Sequence, residues 1–129
     1  MTESFDTAFI ISIGDAFIRR ADESSTESTF QATTGNRDDA AVFTLTDRVL
    51  RSGDWTLSRY TSEDRSLLPK PVYWFREEGL AQEVSLEQEG ESWLVESGGA
   101  PFVALDGKVF AQLIHQGEGA QAKVVVVSE

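Results

Sequence analysis

LAQEVSLEQ, residues 80–88, decides the fold. Leu80, Gln82, Val84 and Leu86 fall on one side of an extended chain, and Ala81, Glu83, Ser85 and Glu87 on the other. Side chains alternate across a strand, so this period of two predicts one dry face and one wet face. That is the pattern of an antiparallel sheet with a core on one side. Glu89-Gly90-Glu91 then reads as a turn and residues 93–96 as the returning strand.

The same signals recur on both sides of this hairpin. Residues 42–50 read as a strand, Ser52-Gly53-Asp54 as a turn, and residues 55–61 as a strand alternating Trp55 and Leu57 with Thr56 and Ser58. Tyr73, Trp74 and Phe75 make residues 72–76 strongly β-prone. Downstream, Gly98-Gly99-Ala100-Pro101 breaks the chain, and Asp106-Gly107 marks a hairpin between residues 102–105 and 108–114. Residues 122–127 form an almost wholly apolar strand, and the four valines in a row predict burial on both faces.

Residues 5–20 read in two ways. Phe5, Phe9, Ile13, Ala16 and Phe17 recur at helical spacing, but the β-branched run before Gly14-Asp15 favours a hairpin turning at that dipeptide. The hairpin is the preferred reading and a helix packed on the sheet is the alternative. Residues 22–29 and 34–40 are polar and predict mobile loops within a single domain over residues 1–129. No sequence repeat is visible. Short strands, Gly-rich turns and connections too short for parallel crossovers predict a mainly β fold. The expected architecture is an antiparallel β-sandwich or small β-barrel of about eight or nine strands.

Charge is the feature that bears on function. The chain carries a formal net charge of −11. Between residues 77 and 107 there are seven Glu, one Asp and no Lys or Arg. Such a chain is repelled by free nucleic acid and by anionic membranes. Arg48, Arg51, Arg59, Arg65, Lys70 and Arg76, interleaved with aromatics, form the one stretch suited to single-stranded nucleic acid, and the net charge opposes it. There is no basic segment at the N-terminus and no apolar run near the ~20 residues that span a membrane. The expectation is therefore a cytoplasmic protein without membrane contact; self-association is left open.

Little in the sequence supports chemistry. The absence of Cys excludes disulfides, thiolate zinc sites and a cysteine nucleophile. His115 is the only histidine, at a predicted strand end, with no nucleophile motif to serve. Asn36, Asp38 and Asp39 could converge oxygens on a hard cation but read as an ordinary polar turn. Glu83 and Glu87 would stand about 13 Å apart along a strand, too far for a retaining glycosidase pair. Neither a catalytic residue nor a cofactor is expected.

These observations converge on a small, acidic, non-enzymatic β-domain that works through protein–protein interaction: an accessory subunit, an inhibitor or an assembly component. Its partner is expected to present a basic surface to Glu83, Glu87, Glu89, Glu91 and Glu96, with Trp93 as an apolar anchor at the patch edge. Two other readings compete. One is a barrel carrying an apolar ligand in a cavity lined by Trp55, Trp74, Trp93 and Phe110; the other is a nucleic-acid mimic whose carboxylates imitate phosphates for a basic protein.

Overall fold

The computed structural model describes residues 4–21, 29–60, 70–77, 79, 81–90, 92–97, 100–112 and 121–126. Strand β1 (Phe5–Ile13) turns at Gly14-Asp15 into β2 (Ala16–Ile18), so the hairpin reading of the N-terminus holds and the helical alternative falls. Strands β3 (Thr29–Gln31) and β4 (Thr34–Gly35) follow, then a 3-10 turn at Arg37–Asp39. Residues 34–40, expected as a loop, thus contain a strand pair with β2 and a hydrogen-bonded turn. Of the loop expected over residues 22–29, Thr29 instead opens β3, paired with Phe75, and residues 22–28 lie outside the described residues, as does His115.

The stretch 42–50 is two strands, β5 (Phe43–Thr46) and β6 (Val49–Ser52). They are joined by Asp47 and Arg48, with φ of 48° and 67°. Both central residues are left-handed, as a primed hairpin turn requires. Neither is Gly or Asn, which is why the turn is inconspicuous in sequence. Next come β7 (Trp55–Ser58), β8 (Lys70–Pro71), β9 (Tyr73–Phe75), β10 (Ser85–Glu89) and β11 (Ser92–Ser97). The last three are β12 (Ala100–Leu105), β13 (Lys108–Ala111) and β14 (Lys123–Val126). Among the described residues fourteen short strands replace the expected eight or nine, because turns and single-residue breaks divide the runs. Pro101, expected in a break, lies inside β12 and pairs with Glu96.

The sheet is a nearly closed antiparallel barrel. From β6 it runs through β5, β1, β14 and β11 to β10. The remaining seam is spanned by the Val84 N–H, which donates to the Arg48 carbonyl at 2.8 Å. The barrel alternative of the sequence reading is therefore the observed one, and the sandwich is not.

A three-fold plan underlies the barrel. Three isolated bridges, Arg19–Ala40, Tyr60–Ala81 and Val103–Gln121, recur about 40 residues apart. Beside each, an equivalent backbone bond forms: Ala41 N–H to the Ile18 carbonyl, Gln82 to Arg59 and Ala122 to Phe102, at 2.8–3.0 Å. The three lobes meet in a closed triangle. Ala32 donates to the Val72 carbonyl, Val72 to Val109, and Val109 back to Ala32. All three residues are fully buried, so this cycle satisfies backbone groups that no water reaches. The internal repeat that the sequence hides is thus present in the backbone pairing.

The core is continuous and aromatic-rich. Phe5 packs edge-on against Phe9, Phe9 stacks on Phe43, and Phe43 stacks on Trp74 at 5.7 Å with planes 2° apart. Val84 and Leu86, on the predicted dry face, are buried within it, and Glu87 is exposed. The strand itself is shorter than expected: regular pairing begins at Ser85, and Leu80 lies outside the described residues. The valine run also departs from expectation. Val124 and Val125 are half-buried and Val126 is 50% exposed, so the run is not buried on both faces.

Candidate functional site

The β10–β11 hairpin positions the acidic block. Its register pairs Leu86 with Val95 and Gln88 with Trp93 on the inner face, and Ser85 with Glu96 and Glu87 with Leu94 on the outer face. Trp93 therefore points away from the carboxylates. It is half-buried against the core, with its ring 6.0 Å from Phe5 in an edge-on contact, and it braces the hairpin from beneath.

On the outer face, Leu94 also pairs with Lys123 of β14, so Glu87, Leu94 and Lys123 form one row across three strands. Glu96 lies one step further along β11, diagonal to Glu87. Diagonal neighbours on a sheet face are roughly 7–8 Å apart, close enough for their charges to interact. Glu96 is half-buried, between Ser85 and Pro101. Burial, and then the Glu87 carboxylate, push its pKa above the ordinary value of 4.5.

Glu83 is set apart from this pair. Its carboxylate accepts a hydrogen bond from the Arg48 guanidinium at 2.7 Å, which ties the segment before β10 to the β5–β6 turn. The backbone is held too, since Ser97 Oγ donates to the Glu83 carbonyl at 2.9 Å. Glu89 occupies the last position of β10, and Glu91 lies outside the described residues. Of the six residues singled out in the sequence, the structure brings Glu87 and Glu96 together. It engages Glu83 with Arg48 and places Trp93 on the opposite face.

Glu96 carries a pH prediction. Its carboxyl binds a proton more tightly in the folded chain than in the unfolded one. Between pH 4.5 and its raised value the native state therefore holds more protons, and stability contributed by this group falls as pH rises through that window. Glu96→Gln should be more stable than wild type at pH 7 by about 0.2–1 kcal/mol, the scale of a cross-strand pair. The difference should vanish below pH 4.5. Urea unfolding midpoints at several pH values read this directly; a difference that does not change with pH would refute the assignment.

Two other candidate regions resolve differently. Among the described residues no three His, Cys, Asp or Glu gather to hold a metal ion. In the turn proposed for a hard cation, the Asp38 carbonyl accepts from Arg20 and the Asp39 carboxylate lies 3.9 Å from it. The basic band is dispersed: Arg59 and Lys70 are buried, Arg48 is engaged with Glu83, and Arg76 lies over the Trp55 ring at 4.3 Å. Among the described residues no helix is long and apolar enough to cross a membrane.

The site is thus a charged hairpin face on a braced barrel. Comparison with known sequences specifies the kind of protein. The chain belongs to the peptidase inhibitor I66 family, whose profile matches residues 37–128. It is also similar to a curated relative named "Serine protease inhibitor" from Lentinula edodes, 36% identical over 73 residues. That match takes in 56% of this chain and 51% of the relative, so the chain spans about half the length of the curated relative it matches. No solved structure matches. The sequence-based expectation of a domain acting through protein contact, an inhibitor among its named forms, is borne out by the family.

Proposed function

We propose that this protein is a non-enzymatic inhibitor of a serine peptidase, which it blocks by forming a stoichiometric complex. The observation that carries the reading is the family match over residues 37–128, which includes the whole β10–β11 hairpin. The printed name of the Lentinula relative supports a serine peptidase as the target class.

The outer face of β10–β11 guides the encounter. Glu87 and Glu96 face a basic rim around the peptidase cleft, within a stretch that also carries Glu83, Glu89 and Glu91 in sequence. Complementary charge of this kind raises the association rate and fixes orientation more than it raises affinity. Trp93 contributes from beneath, by holding the hairpin rigid against Phe5 so that little order must be gained on binding.

Titrating a fixed amount of trypsin-like, chymotrypsin-like and elastase-like peptidases tests the proposal. At least one should lose activity linearly to a one-to-one end point, with the inhibitor recovered intact. No inhibition of any serine peptidase at large molar excess would overturn the reading. Inhibition confined to a cysteine peptidase would overturn the target class alone.

A further inference from the structure

A second surface, remote in sequence from the acidic hairpin, has the opposite character. An open pocket of about 930 Å³ lies over the aromatic wall of the barrel, bordered by Phe30, Val42, Trp55, Trp74 and Arg19. Its size falls within the range of small-molecule sites, roughly 300–1,000 Å³. Phe30 and Trp55 meet edge to face at 5.1 Å, and Trp55 and Trp74 are almost wholly buried. The wall is therefore rigid.

Two side chains of the pocket face solvent. Val42 is 50% exposed, because alternation buries its neighbours Ala41 and Phe43 and turns Val42 outward, onto the pocket rim. Arg19 is exposed, and among the described residues its guanidinium meets no acceptor, whereas neighbouring Arg20 reaches the Asp38 carbonyl and Asp39. The stem of Arg19 runs over Gly35, where a Cβ would come within 3.3 Å of Arg19 Cγ. The glycine thus leaves room for the arginine to lie along the pocket wall. Asp39 also borders the pocket, but its carboxylate lies 3.9 Å from Arg20. An exposed arginine beside an exposed aliphatic and an aromatic wall is complementary to a molecule with an apolar body and one negative group.

We propose that this pocket binds a small amphipathic organic anion, with its apolar body on Phe30, Val42 and the Trp55 edge and its charge on Arg19. Arg19 and Phe30 precede the family-matched residues 37–128, whereas Val42, Trp55 and Trp74 lie within them. The proposal is independent of peptidase inhibition.

The test uses anilinonaphthalene sulfonate as an anionic probe and phenylnaphthylamine as its uncharged counterpart, read by probe fluorescence on the folded protein. The sulfonate should bind saturably and raise the melting temperature, as a ligand of the native state must. Arg19→Gln should weaken it about tenfold, equivalent to about 1.4 kcal/mol, while binding of the uncharged probe changes less than about twofold. Arg19→Lys should restore most of the loss, and Val42→Ser should weaken both probes. Unchanged circular dichroism confirms that the variants are folded. Absence of saturable binding, or equal affinity of wild type and Arg19→Gln for the sulfonate, would overturn the proposal.

Discussion

Trp74→Ala should destabilise the protein by about 3–5 kcal/mol, the range for removing a large buried aromatic side chain. Trp74 is 1% exposed and ends the stack that runs from Phe9 through Phe43. It therefore joins β1 and β5 of the barrel to β9, and its loss leaves three elements without a shared partner. Domains of this size are stable by only about 5–15 kcal/mol, so the variant should sit close to unfolding at ordinary temperature. The β10 strand supplies an internal contrast. Leu86→Ala, fully buried, should cost about 2–5 kcal/mol, and Glu87→Ala, exposed one residue later, less than about 0.5. Urea unfolding of the three variants reads both scales. Similar losses for Leu86→Ala and Glu87→Ala would mean that the register pairing Leu86 with Val95 is wrong.

The dry face of β10 was legible in the sequence, because alternation along residues 80–88 encodes it, whereas the pairing of Leu86 with Val95 was not. The turns at Gly14-Asp15 and Asp106-Gly107 were legible for a related reason: their residue types tolerate left-handed backbone. What was not legible depends on partners distant in sequence. The three-fold plan repeats backbone pairing rather than identity, with Ile18, Arg59 and Phe102 as equivalent acceptors, and no local pattern reports that. The exposure of Val126 follows from where β14 sits in the barrel, which its own composition does not reveal.

The site divides in the same way. Its negative charge could be read directly from seven Glu without a Lys or Arg between residues 77 and 107. Its engagement could not. Glu83 meets Arg48 across 35 positions of chain, and the inward face of Trp93 is set by pairing with Gln88. Family membership was equally hidden, since it is spread over residues 37–128 and concentrated in no short motif.

Reversing charge on the outer face of β10–β11 should slow association with the target peptidase about tenfold at low salt, the lower end of electrostatic steering effects. The variant to build is Glu87→Lys with Glu96→Gln. Glu87 is exposed and tolerates the longer side chain, and the amide at position 96 removes charge from a half-buried site without adding any. Steering acts over distances comparable to the Debye length, about 10 Å at 0.1 M salt and about 3 Å at 1 M. Wild type and variant should therefore converge as salt is raised, and the dissociation rate should change much less than the association rate. Acidification should act in the same direction on wild type, because Glu96, its pKa raised by burial and by the Glu87 carboxylate, loses its charge as pH falls. Stopped-flow association traces across salt and pH separate these effects. A wild-type rate that is indifferent to salt and matched by the variant would leave the acidic hairpin with a role in solubility alone, even if the protein proves a tight inhibitor.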